Sequence, residues 1–193
     1  MRAFFAIELP GSCQSQLSHS IEKLQSDLAR LYKTKTFRWT ASHNLHLTLQ
    51  FMADVKEEYV ALLLEKVKQV LRTEEVFHLQ LGSLEWFPSR HHPKVISVRA
   101  EPHDSLARIA QSIGRVMKEV GLPVEQRPFR AHVTLARINT VLRDVDAEVL
   151  AVPLEIPPVL VKEIVLFQSK TLEEGPVYTK LGVVGLILDA KSG

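Results

Sequence analysis

Two rhythms of apolar and polar positions run along this chain, one of period two and one of three to four, and together they predict most of its elements. Arg2 to Leu9 reads as a strand closed by Pro10-Gly11. Leu17, Ile21, Leu24, Leu28 and Leu31 then recur every three or four residues, which predicts an amphipathic helix. Leu45 to Phe51 alternates again, as a half-buried strand does. Val60, Leu64, Val67 and Leu71 mark a second helix, whose positive N-terminal end suits Glu57 and Glu58. Phe77 to Phe87 and Lys94 to Ala100 read as two strands joined by the polar connection Ser89-Arg90-His91-His92-Pro93. Asp104 is expected to cap a third helix carrying Leu106, Ile109, Ile113, Met117 and Val120, ended by Gly121 and Pro123. Ala131 to Ile138, Lys162 to Gln168 and Tyr178 to Leu188 supply further strands, and residues 141–150 a short helix.

The order of these elements repeats. Strand, helix, then His46-Leu47-Thr48-Leu49 describes the first part; strand, helix, then His132-Val133-Thr134-Leu135 describes the second. The expected fold is therefore α+β and bilobal: two pseudo-symmetric lobes of antiparallel sheet, with outer helices, facing each other across a central cleft. The chain is expected to form one such domain over 1–193, with similar halves at roughly 1–90 and 91–193.

In a strand, side chains two apart share a face. His46 and Thr48 point one way while Leu45, Leu47, Leu49 and Phe51 point the other. His132 and Thr134 are split in the same manner from Ala131, Val133 and Leu135. Each strand thus has an apolar back and a polar front, and inward-facing fronts bring two imidazoles and two hydroxyls into one cleft. Among 8 histidines a single His-x-Thr arises readily by chance; two at matched places of a repeat do not. With an ordinary pKa near 6.5, one histidine can act as base while the other acts as acid. Phosphoryl transfer asks mainly for in-line geometry and charge neutralisation, which such a pair provides without a metal.

Composition narrows the setting. The 193 residues carry 24 Lys+Arg against 22 Asp+Glu, a net charge of +2, so any nucleic-acid contact is local and not a duplex-coating surface. No apolar run approaches the roughly 20 residues that span a bilayer. Glu8 interrupts the N-terminal apolar stretch too early for a signal-peptide core. The one cysteine, Cys13, makes no internal disulfide and cannot form a thiolate metal cluster. A cytoplasmic, membrane-free monomer with no metal or other cofactor is the expectation.

The same residues resemble the 2H phosphoesterase superfamily, named for its paired His-x-Thr/Ser-x motifs, and within it the RNA 2′,3′-cyclic phosphodiesterases, also called 2′-5′ RNA ligases. The likeness runs nearly end to end. Arg2-Ala3-Phe4-Phe5-Ala6-Ile7 is similar to the family's first strand, and Asn44-Leu45-His46-Leu47-Thr48-Leu49-Gln50-Phe51 to its first motif. Arg127-Pro128-Phe129-Arg130-Ala131-His132-Val133-Thr134-Leu135-Ala136-Arg137 is similar to the second, while Ser169, Gly175, Tyr178 and Leu181 fit the closing pattern. Ala53 stands where the family has a turn glycine, a departure that leaves the chemistry untouched.

The resemblance implies hydrolysis of an RNA-terminal 2′,3′-cyclic phosphate to a 2′-phosphomonoester, with reversible ATP-independent 2′-5′ joining as a second activity. It implies His46 as general acid for the departing 3′ oxygen, His132 as base for water, and Thr48, Thr134 and Arg137 at the phosphate. Strict alternation puts Arg137 on the face opposite His132, so it reaches the cleft only if the strand ends or bulges first. Arg127 and Arg130 offer a phosphate grip with Phe129 or Trp39 as the stacking ring, and Tyr178 is a candidate substrate contact. His43 reads as a loop residue, His91-His92 as a solvated turn and Cys13 as inert. Two rival functions stay open: a phosphodiesterase for 2′-5′ oligoadenylate or another small cyclic nucleotide, and a non-catalytic nucleotide- or RNA-binding module.

Overall fold

The first strand, β1 (Arg2–Glu8), buries Ala3 through Ile7 without a break, because it lies inside the sheet and is covered on both faces. The computed structural model describes residues 1–173 and 175–188. After β1 come helix α1 (Gly11–Ala29), the short strand β2 (Phe37–Trp39), β3 (His46–Met52), α2 (Val60–Val70), β4 (Phe77–Phe87) and β5 (Val95–Glu101). Helix α3 (His103–Glu119) then leads to β6 (His132–Ile138), β7 (Val159–Val161), β8 (Glu163–Leu172) and β9 (Gly175–Gly185). The described strands form one antiparallel sheet in the order β7-β4-β5-β6-β3-β1-β8-β9, with β2 paired to β6 off this path.

The expected α+β architecture of antiparallel strands and outer helices is present. The two similar units meet at β3 and β6, which touch at the single register pair Leu47↔Val133. Beyond that pair they diverge, and β2 fills the opening by pairing Phe37–Trp39 with Ala136–Ile138. In space the units differ from the halves divided near residue 90. β4 lies with β5 and β6 around the second motif, whereas β8 and β9 return to β1 and β3 around the first.

Local sequence explains several boundaries and corrects others. Helix α3 ends in a left-handed Gly121 (φ 77), with Leu122 N–H donating to the Met117 carbonyl (2.9 Å) and Gly121 N–H to that of Lys118 (3.0 Å). This is a Schellman closure, which favours glycine at that position. Asp104 is not the cap of α3: the cap position is Pro102 and Asp104 lies exposed in the first turn. Leu31 lies beyond α1 and is 61% exposed, since the helix ends at Ala29. Of residues 141–150 only Glu148–Leu150 form a helical turn, of the 3-10 kind. β2 and β7, three residues each, are too short to show a period and were not expected from the pattern.

The back of the sheet carries the core. Leu47, Leu49, Val133 and Leu135 are all at most 3% exposed and join the main apolar cluster with α1 and α3. Gln50 Nε2 donates to the Ala110 carbonyl of α3 (2.9 Å), tying the first motif strand to the helix behind it. The opposite face of β3 and β6 is left for the site.

Candidate active site

Antiparallel pairing at Leu47↔Val133 turns both apolar side chains to the core and sets their neighbours facing the cleft. It places His46 across from Thr134 and Thr48 across from His132, so cross-strand neighbours mix the two motifs. His46, Thr48, His132 and Thr134 line one cavity of about 370 Å³, together with Arg137 and Tyr178. These six expected site residues are brought together, and Trp39 borders the same cleft.

Each imidazole is oriented by the same local device. His46 Nδ1 donates to the Asn44 carbonyl (2.7 Å), and His132 Nδ1 donates to the Arg130 carbonyl (2.8 Å). A carbonyl can only accept, so Nδ1 carries the hydrogen and, in the neutral ring, Nε2 carries the free lone pair. His46 Nε2 lies 3.1 Å from Thr48 Oγ1, whose hydroxyl can donate to it while the ring is neutral. Asn44 is itself anchored, its Nδ2 donating to the Pro176 carbonyl (2.8 Å), which links the first motif to the start of β9.

Aromatic rings back both histidines. Phe4 stacks on His46 with centroids 4.7 Å apart, and Tyr178 meets it edge-on at 5.2 Å. Phe87 stacks on His132 at 4.3 Å. Burial in these surroundings lowers the His46 pKa from its ordinary value; the Asn44 carbonyl opposes this, while the charges of Arg137 and His132 add to it. Burial also lowers His132, against the Arg130 carbonyl and the nearby Glu85 carboxylate, with Arg130 and Arg137 adding to the fall. Tyr178 is raised by burial, partly offset by the charges of Arg137, Arg2 and Arg38.

Arg137 reaches the cleft because β6 bulges. Ile96 pairs with Ala136 and the next residue, Ser97, with Thr134, so Leu135 is the extra residue. Leu135 and Ala136 both turn inward at 0% exposed, and Arg137 returns to the histidine face. A matching bulge occurs in β3: Phe5 pairs with Gln50 and Ala6 with Thr48, leaving Leu49 extra. It brings Phe51, 43% exposed, into the cleft at the place equivalent to Arg137, five residues after its histidine. Sequence alternation put Phe51 on the back face, and nothing local in the chain marks either bulge.

Arg130 and Phe129 do not line this cleft. The Arg130 guanidinium lies 4.5 Å over the Phe87 ring and donates to the Pro88 carbonyl (2.9 Å) and to Glu85 Oε2 (3.2 Å). It therefore backs the ring that backs His132. Phe129 is half-buried near His103. Arg127 is fully exposed and holds Glu125 (2.6 Å). Trp39 and His43 do border the cleft, as do Arg2 and Arg38, which sequence reasoning passed over. Cys13 is buried and its thiol is pushed up to about 11, in keeping with an inert role.

The antiparallel α+β sheet with two His-x-Thr strands facing one polar cleft defines a 2H phosphoesterase. Comparison with known proteins narrows this further: the family model described as LigT like Phosphoesterase matches residues 12–97 and 96–178, and the chain belongs to that family. It is 32% identical over 143 residues to the RNA 2′,3′-cyclic phosphodiesterase of Aeropyrum pernix, covering 72% of this chain and 80% of that one. It is 29% identical over 193 residues to the protein of the same name from Thermus thermophilus, covering 94% and 88%. Among solved structures, E. coli LigT complexed with 3′-AMP superposes with a TM-score of 0.68 at 26% identity, over 96% of this chain and 97% of that one.

Proposed function

We propose that this protein is an RNA 2′,3′-cyclic phosphodiesterase that opens a terminal cyclic phosphate to a 2′-phosphomonoester by acid/base catalysis between His46 and His132. The observation that carries the reading is the Leu47↔Val133 pair, which sets two Nε2 atoms and two threonine hydroxyls symmetrically on one cleft face. The names of the relatives and the shared family support the choice of substrate.

In this reading His132 Nε2 takes a proton from water as its oxygen bonds to phosphorus. The P–O3′ bond breaks in line, and His46 Nε2 delivers a proton to the departing 3′ oxygen. Thr48 and Thr134 donate to non-bridging oxygens, and Arg137 offsets the charge that grows on them. Tyr178 packs against the His46 ring and borders the substrate. The two histidines end with exchanged protonation, which solvent resets. Because every step is reversible, an RNA 5′-hydroxyl attacking in place of water joins two ends through a 2′-5′ linkage. No step calls on a metal ion.

The test uses a short RNA ending in a 2′,3′-cyclic phosphate, with chelator present and the product separated from 2′- and 3′-phosphate standards. A 2′-phosphate is expected, and His46→Ala or His132→Ala should each lower kcat by at least about 10²-fold. Full activity in either variant overturns the two-histidine mechanism. A 3′-phosphate reverses the expelled oxygen, and loss of turnover with EDTA that zinc restores overturns metal independence.

A further inference from the structure

The cleft is more positive than its chemistry requires. A cyclic phosphodiester carries one negative charge, and Arg137 lies beside the histidines to meet it. Two further guanidiniums, Arg2 and Arg38, border the same cleft, and no carboxylate does so among the described residues. Neither Arg38 nor Arg137 is held by a carboxylate among the described residues, whereas Arg130, behind His132, is held by Glu85.

The placement of Arg38 is specific. It pairs in register with Arg137 across β2 and β6, so the two side chains leave the sheet from directly opposite positions on one face. Like charges so placed repel and weaken the pairing of their strands. Here the repulsion falls on a three-residue strand with little pairing to spare. Both side chains are exposed and aimed at the substrate side. An arginine pair without an acid is a ready fork for two phosphate groups, or for one phosphate and its neighbour in a chain.

We propose that Arg38 forms a second phosphate subsite next to the reacting one, and that through it the enzyme favours a nucleotide carrying a further phosphate over a lone nucleoside 2′,3′-cyclic phosphate. This rests on the phosphodiesterase reading and names the residue by which a polynucleotide end is told from a mononucleoside. Arg137 holds the phosphorus under attack; Arg38, one strand away, holds the phosphate on the 5′ side of the same nucleotide. Arg2 lies at the other end of the cleft, past Thr48, with its guanidinium 5.4 Å over Phe51. It is not needed for the discrimination.

The test compares adenosine 2′,3′-cyclic phosphate with its 5′-phosphorylated form. In the unaltered protein the 5′-phosphate should raise kcat/KM by at least about tenfold, the scale of one charge-assisted hydrogen bond. Arg38→Met should shrink that gain to less than about threefold, and Arg38→Lys should recover part of it. Equal losses on both substrates would show that Arg38 serves the reacting phosphate alone, which overturns the proposal. Calorimetric binding of adenosine 2′-phosphate and adenosine 2′,5′-bisphosphate provides a readout free of turnover. A preference for the bisphosphate that vanishes in Arg38→Met supports the subsite even if neither cyclic compound is hydrolysed, in which case it is the phosphodiesterase reading that fails. Equal affinities in the unaltered protein overturn the subsite whatever the kinetics show.

Discussion

Each motif histidine commits its Nδ1 proton to the carbonyl two residues before it, and the two rings then differ only in their surroundings. His46 sits between Phe4 and Tyr178, with no carboxylate among the groups that set its pKa. His132 leans on Phe87 and feels Glu85, which is itself held by Arg99 and Arg130. Both rings lie below their ordinary value, mainly through burial. A base works above its pKa and an acid below its own, so the kcat/KM profile should be bell-shaped with its optimum below about pH 6.5. Glu85→Gln removes a charge that raises His132, and it should move that limb to lower pH while leaving the other in place. An optimum above pH 7.5, or a profile unmoved by Glu85→Gln, would contradict this account of the two environments.

The strands that carry these rings were readable from alternation, because half-buried antiparallel strands divide apolar from polar side chains with period two. The bulges at Leu49 and Leu135 were not. A bulge is a mismatch in count between two partner strands, and no single strand records it. Arg137 was therefore expected from the resemblance and disputed by strict alternation, and Phe51 was assigned to the wrong face. Another such irregularity lies between β8 and β9, where Leu166 pairs with Gly182 and Phe167 with Lys180. There helix α2 presses so close that a Cβ on Gly182 would stand 2.4 Å from Leu64 Cδ1. Gly182→Ala forces the Leu64 side chain to shift and should cost up to about 1 kcal/mol in urea unfolding. Leu64→Ala added to it should recover part of that loss, a non-additivity expected of residues in contact. Strict additivity would mean that the approach of α2 to β9 does not set the requirement for glycine.

Across the whole molecule the charges nearly cancel, yet the cleft shows arginines and histidines with no acid among its described lining residues. Burying two neutral imidazoles there also links stability to pH. Between their lowered folded values and about 6.5 the unfolded chain binds more protons than the folded one. Their contribution is complete above about pH 6.5 and is lost as pH falls through the lowered values. The urea midpoint should drop between pH 7.5 and 5.5, and His132→Gln should flatten that drop; a midpoint that holds or rises on acidification would exclude it.

The repeat, the apolar backs of the motif strands, the helix faces of α1 and α3 and the identity of both histidines and both threonines were all present in local order. These depend on periods of two to four residues, which neighbours along the chain suffice to set. The crossing of β4 and β8–β9 between units, the pairing of Arg38 with Arg137, the turn of Arg137 and Phe51 into the cleft and the engagement of Arg130 behind His132 depend on register between strands far apart in the chain. Register is decided when strands meet, by which backbone groups find partners and which apolar faces can close together. Only the folded sheet contains that information.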